Sequence, residues 1–194
     1  MLHAAALCRR FIASRRGMAA IEFAMVLPAL LLLFLASFDA GNAIGTYMKV
    51  RSATYTLAAI TNQYQTIQSS DMTAITGATS AVFAPYASAP AIVTISQIKA
   101  TSATQAQVSW SYSPTSGYAL AQGAAVSNLP ANFGQNTCSN TYPCFIIMAT
   151  VQYTYTPTFG YFITGTLTLS DSLYATPRSS ICVQYPPGNV NSCS

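Results

Sequence analysis

A continuous apolar run near the N-terminus is the strongest pattern in the sequence. Residues 18–38 read MAAIEFAMVLPALLLLFLASF, and Glu22 is the only charged residue among them. As an α-helix this run would be about 32 Å long, which is close to the hydrocarbon thickness of a bilayer. Pro28 is compatible with such a helix because transmembrane helices accommodate proline. The run therefore predicts a transmembrane helix.

Helical periodicity continues after the apolar run. Residues 39–69 lack proline, and apolar side chains recur among them at helical intervals. This pattern predicts that the transmembrane helix continues outward as a stem. Ser70 and Asp71 have the chemistry of an N-cap and predict a second short helix at about residues 71–83, which ends before Pro85.

From residue 91 the hydrophobic period changes from helical to two. Apolar and polar residues alternate in four segments: Ile92–Ser96, Gln107–Tyr112, Phe145–Tyr155 and Ile163–Ser170. Alternation of this kind predicts half-buried antiparallel strands, each with one face in water. Residues 180–185 are a candidate for a short fifth strand.

The segment between the second and third predicted strands, residues 113–142, is long and rich in Gly, Asn and Ala. A loop of about 30 residues is unusual in a compact domain, so it is either an exposed functional insertion or partly ordered by its own contacts. Together the patterns predict an α+β fold. A long N-terminal transmembrane and stem helix packs on an antiparallel sheet of four or five strands, which is a pilin-like architecture.

Charge is concentrated before the apolar run. The net charge is +4; four arginines precede the run, whereas from Glu22 onward there are four cations and four anions. The outer body is therefore neutral and has no basic stripe for nucleic acid. The positive-inside bias predicts a cytoplasmic N-terminus and an extracytoplasmic C-terminal domain. An ordinary cleaved signal peptide is the alternative, but the apolar run is longer than a usual signal core.

The junction between the arginines and the apolar run carries a specific motif. Its sequence, Arg15-Arg16-Gly17-Met18-Ala19-Ala20-Ile21-Glu22-Phe23, resembles the processing site of type IV prepilins and, more closely, of TadE/TadF pseudopilins of the tight-adherence (Flp) pilus. The resemblance implies that a prepilin peptidase cuts between Gly17 and Met18. It also implies that Glu22, the fifth residue of the mature chain, contacts the N-terminal ammonium of a neighbouring subunit.

The physical chemistry of Glu22 supports a partner independently of the resemblance. A carboxylate within lipid costs a few kcal/mol even on lenient scales, so it needs compensation. The alternative is a glutamate that reaches the headgroups from near the end of the span. The spacing from Gly17 and the upstream arginines favour the subunit contact.

Four of the five cysteines lie in the predicted outer domain, namely Cys138, Cys144, Cys182 and Cys193. An even number in an oxidising compartment predicts two disulfides, for which three connectivities are possible. Pairing of Cys138 with Cys144 and of Cys182 with Cys193 is favoured because each pair closes a short loop. A four-thiolate zinc site is the rival interpretation, but the spacings within the two pairs are not those of zinc knuckles.

The sequence contains few of the residues and motifs that catalysis requires. His3, the single histidine, lies in the predicted leader, so the mature chain would have no histidine for a catalytic triad or for a His-ligated metal. Neither a GxGxxG nor a Walker A loop is present. We therefore expect no cofactor, no metal site and no enzymatic activity.

These interpretations define the expected organisation and function. The predicted regions are a basic leader (1–17), the transmembrane helix (18–38), the stem with the short second helix (39–90) and an extracytoplasmic β-rich domain (91–194). The resemblance implies a minor pseudopilin of the inner membrane that promotes pilus biogenesis, adhesion and biofilm formation. Its partners would be the membrane, other pilus and pseudopilin subunits, a prepilin peptidase and the inner-membrane assembly platform. A single-pass membrane-anchored binding protein or adhesin is the alternative.

Overall fold

A computed structural model describes residues 17–84, 91–127, 129, 138–139, 141–160 and 165–193. Its elements in chain order are helix α1 (Met18–Thr61), helix α2 (Ser69–Phe83), strands β1 (Ala91–Ala100), β2 (Ala106–Tyr112), β3 (Cys144–Tyr155) and β4 (Leu167–Ala175), and a 3₁₀ helix (Val190–Cys193). The strands form one sheet in the order β2-β1-β3-β4, with every neighbouring pair antiparallel. The predicted α+β fold is confirmed, with four strands.

Helix α1 is a single element of 44 residues whose two halves differ in packing. From Met18 to Phe38 no side chain is buried, and this half is long and apolar enough to cross a membrane, with a mean hydropathy of 2.4. From Asp39 onward one face of the helix is buried against β3, β4 and α2. The sheet is therefore attached to the outer half alone.

The main core lies between the helices and one face of the sheet. Because side chains alternate across a strand, every second residue of β1 and β3 points to the helices. The core includes the following buried residues: Val50, Leu57, Ile67, Met72, Phe83, Val93, Ile95, Ile147, Ala149 and Val151. The ring of Phe83 stacks on that of Tyr153, with 5.2 Å between their centroids, and this fixes the end of α2 against β3.

The segment after β2 covers the outer edge of that strand. The backbone N–H groups of Val108 and Val126 donate to the carbonyls of Ala124 and Ala106, each at 2.9 Å. Val126 also packs against a smaller cluster on the second sheet face, which contains Ile146. The described part of residues 113–142 is thus ordered by contacts with the sheet, and a strand edge that would otherwise be open is paired.

Two predicted helix boundaries are wrong. The stem helix ends at Thr61 rather than near residue 69, because Ile67 is buried in the core and its N–H donates to the carbonyl of Gln184 at 3.0 Å. Asp71 is not the N-cap of α2; it lies within the first turn, where its carboxylate accepts from the N–H of Gln68 at 3.1 Å. Tertiary contacts and a reciprocal cap decide these ends more strongly than residue preference does.

The fourth strand and the candidate fifth strand also differ from the prediction. β4 begins at Leu167, and residues 163–164 of the predicted strand lie outside the described residues. Residues 180–185 do not join the sheet; Gln184 forms a single parallel bridge with Thr66 in the α1–α2 loop. This segment belongs to what we call the C-terminal strap, residues 178–193.

The C-terminal strap is held to the sheet by buried polar side chains. Gln97 on β1 is fully buried; its carbonyl oxygen accepts from the N–H of Val183, and its amide donates to the carbonyl of Ser192, both at 2.6 Å. The indole N–H of Trp110 donates to the carbonyl of Val183 at 2.7 Å. Both polar ends of a buried amide are therefore satisfied by the strap, as burial requires.

Disulfides close both the strap and the segment before β3. Cys182 is bonded to Cys193, and Cys138 to Cys144, with 5.7 Å between the Cα atoms in each pair. These are the pairs that the sequence favours, and their sulfurs are not available for a four-thiolate zinc site. The Cys182–Cys193 bond closes the strap around the two groups that bind Gln97.

We predict that Gln97→Leu destabilises the fold although it conserves volume. The change leaves the Val183 N–H and the Ser192 carbonyl buried without partners, at about 1–3 kcal/mol each. The thermal midpoint of the detergent-solubilised protein should fall by roughly 5–10 °C. Gln107→Leu, at an exposed position of β2, is the matched control and should change the midpoint little. Equal midpoints for the two variants would contradict the role of Gln97.

Candidate functional site at the two ends of the membrane segment

The predicted processing site lies where α1 begins. Gly17 is the N-cap residue with φ −91° and ψ −9°, a conformation that any residue adopts, and Met18 is the first helical residue. A Cβ atom built on Gly17 would meet no atom of the described residues within 4 Å. The fold therefore does not require glycine at this position, so a requirement for it would come from something that acts on the chain.

Glu22 lies on the exposed surface of the first turns of α1. Its neighbours Ile21 and Phe23 are 57% and 61% exposed, so the helix is uncovered on all sides here. The first buried residue of α1 is Asp39, about 26 Å further along the helix axis. In a bilayer the Glu22 carboxylate would face lipid or a second protein, and its subunit contact stays a prediction.

At the opposite end of the apolar run, Asp39 binds a loop of the sheet domain. Its Oδ1 accepts from the N–H of Thr158 at 3.1 Å, and its Oδ2 accepts from the N–H groups of Phe159 at 3.0 Å and Gly160 at 2.6 Å. The hydroxyl of Tyr155 donates to the Asp39 backbone carbonyl at 3.3 Å. We call Asp39 with residues 155–160 the exit clasp.

The exit clasp compensates for the burial of a charge. Asp39 is only 8% exposed, and a carboxylate removed from water is costly unless hydrogen bonds replace its hydration. Hydrogen bonds to a charged group are worth about 1.5–3 kcal/mol each, and Asp39 accepts three from consecutive residues. The clasp therefore joins the helix to the loop after β3 at the level where the apolar run ends.

Two phenylalanine side chains lie beside the clasp on the protein surface. The rings of Phe38 and Phe159 meet edge to face, with 5.8 Å between centroids and 67° between planes. Both side chains remain about half exposed, at 51% and 50%. The pair extends the exposed apolar surface of α1 onto the sheet domain.

The second sheet face carries a cavity of about 450 Å³ near β3 and β4. Its lining combines apolar side chains such as Met148 with the hydroxyl groups of Thr150, Ser172 and Tyr174. Burial raises the pKa of the Tyr174 hydroxyl. Within the described residues no three His, Cys, Asp or Glu side chains are grouped to hold a metal ion.

The fold and these sites define a class of protein: an α+β domain carried on one helix that continues from a segment long and apolar enough to span a membrane. Residues 17–59 match the family model of TadE-like proteins, which confirms the predicted resemblance for this segment. The match includes Gly17, Met18, Glu22 and Asp39. The TadE-like family is a structural, pilus-associated family rather than an enzymatic one. No curated protein and no solved structure matches the chain.

We predict that Asp39→Asn opens the exit clasp. An asparagine has one acceptor oxygen, and its NH₂ group would face N–H donors, so at least one buried bond is lost at about 1–3 kcal/mol. Amide hydrogen exchange at residues 158–160 should become roughly ten- to a hundredfold faster. Asp171→Asn on β4 removes the same charge outside the clasp and should leave exchange there unchanged. Unchanged exchange in Asp39→Asn would contradict the clasp.

Proposed function

We propose that this protein is a minor pseudopilin of the tight-adherence (Flp) pilus, an assembly subunit that promotes pilus biogenesis and thereby adhesion and biofilm formation. The observation that carries the proposal is the TadE-like match, which begins at Gly17 and includes Glu22. The open surroundings of Gly17 support recognition by a prepilin peptidase, since the fold itself has no need of glycine there.

Charge and disulfide chemistry support the proposed location. Four arginines precede the apolar half of α1, which favours a cytoplasmic N-terminus and an inner-membrane helix. The sheet domain would then lie in the periplasm or further outside. Its Cys138–Cys144 and Cys182–Cys193 bonds fit such an oxidising compartment.

The exposed side of α1 beyond the membrane supports contacts with other subunits. Ile44, Met48 and Tyr55 are 58%, 65% and 49% exposed and follow one another at helical intervals. They continue the exposed apolar surface of the membrane half, away from the face that packs on the sheet. This surface is suited to the helices of other pilus and pseudopilin subunits and of the inner-membrane assembly platform.

The alternative is a membrane-anchored extracytoplasmic binding protein or adhesin. The cavity beside Tyr174, with its uncharged hydroxyl groups, is the observation that favours it. The two functions differ at the N-terminus, because an anchored adhesin keeps its leader and a pseudopilin loses it.

We predict cleavage between Gly17 and Met18. N-terminal sequencing of membrane-extracted protein should start at Met18, and Gly17→Val should retain the leader without changing the fold, since a side chain meets no atom there. Gly41→Val is the matched control: Gly41 is also exposed on α1 with no atom within 4 Å, and its substitution should not affect cleavage. A mature chain that begins at Met1 or after Ala36 would overturn the pseudopilin function.

We predict that Glu22→Gln blocks pilus assembly but not export or folding. Loss of the carboxylate would leave the amine of a neighbouring subunit unpaired within the membrane, at about 3–5 kcal/mol. That is roughly two to three decades in an association constant. If Glu22 merely reached the headgroups, the same change would be harmless, because it removes a charge from lipid.

The readout is pilus formation by cells whose mutant protein is cleaved and disulfide-bonded. Met25→Gln places the same amide one turn further along the exposed helix and serves as the control for a glutamine within the membrane. Normal assembly by Glu22→Gln would show that Glu22 has no subunit partner.

A further inference from the structure

The exit clasp lies at a fixed position along α1, directly after the apolar run. Phe38 is the last residue of the apolar run, so a helix that spans the bilayer from Met18 would bring Phe38 to the boundary of the hydrocarbon. Phe159 is in edge-to-face contact with Phe38, and its backbone N–H is bonded to Asp39. The loop that carries Phe159 is therefore held at that same boundary.

The chemistry of this loop suits a region that is poor in water. Residues 156–160 read Thr-Pro-Thr-Phe-Gly and carry no charge. Pro157 has no N–H, and the N–H groups of the next three residues all donate to Asp39. An unsatisfied backbone N–H costs several kcal/mol in lipid, so a loop whose successive donors are satisfied internally can approach it.

The exit clasp also removes the nearest charge from the lipid. The Asp39 carboxylate is turned toward the loop and is 8% exposed, whereas the two rings on the outer side are half exposed. The surface presented beside α1 is thus aromatic, although the residue directly after the apolar run is an aspartate. This surface is continuous with the lipid-facing side of the helix.

We propose that residues 156–160 form a second membrane contact, in which Phe159 lies beside Phe38 in the outer interface of the phospholipid bilayer. The protein would then contact the membrane both through the helix and through the loop. These two contacts would fix the orientation of the sheet domain relative to the membrane. The inference rests on the proposed function only in requiring that α1 spans the membrane.

The test uses the full chain reconstituted into phosphatidylcholine vesicles with or without brominated acyl chains, which quench nearby tryptophan. Phe159→Trp is compared with the wild-type protein, whose single tryptophan, Trp110, is buried in the core. Ile181→Trp is the control: Ile181 is 84% exposed, and the adjacent Ser179 and Ser180 lie by the far end of α1, where Ser179 donates to the Gln63 carbonyl.

We expect Phe159→Trp to lose up to about half of its emission in brominated vesicles, because one of its two tryptophans would contact lipid. Ile181→Trp, like the wild-type protein, should show the same emission in brominated and unbrominated vesicles. An equal fractional loss of emission in brominated vesicles for the two variants, whether large or absent, would overturn the second contact while leaving the proposed function intact. Flotation of the vesicles after an alkaline wash tests the anchor itself; protein that fails to float would overturn the proposed function together with this inference.

Discussion

The structure depends on the attachment of a sheet to one end of a helix whose other end has no contact with the rest of the described chain. That attachment begins at Asp39, where a buried carboxylate accepts three successive backbone N–H groups. Because α1 runs without interruption through the apolar segment, the position of the sheet relative to that segment is set by the residue at which the sheet is attached. A charge at the end of an apolar segment, which would be unfavourable on its own, becomes the point of attachment because the loop after β3 binds it.

A second polar attachment closes the opposite end of the domain. There the C-terminal strap lies between the α1–α2 loop and β1. Both ends of the Gln97 amide on β1 form hydrogen bonds with the strap. The apolar core fills the space between these two attachments. Only 6% of the residues are charged, so amides, hydroxyls and backbone groups perform most of the specific bonding that ion pairs perform elsewhere. Such neutral groups fix geometry where they are satisfied, as both ends of the Gln97 amide are.

The elements that the sequence predicts well are those with a local cause. The apolar run and the period-two segments identify α1 and the strands, and each disulfide joins cysteines that are near in sequence. Asp39 directly follows the apolar run in the sequence, but its partners are about 120 residues away. The partners of Gln97 are similarly distant, and the same strap ends the stem helix at Thr61. Contacts between distant segments leave no periodic signal, so the boundaries that they decide were predicted wrongly.

Along α1, residues that stabilise the fold and residues with a proposed role in assembly lie in different halves of the helix. Gly17 and Glu22 lie in the half of the helix whose described side chains are all unburied, so the stability of the outer domain places no constraint on them. A carboxylate at Glu22 is unfavourable in lipid and contributes nothing to the core, and this is the physical reason for which we propose an external partner. Asp39 is the opposite case, because its charge is satisfied within the chain. Two acidic residues on one helix thus have different explanations: the one proposed for Glu22 lies in assembly, whereas the contacts of Asp39 lie within the fold, and the boundary between them is the outer end of the apolar run.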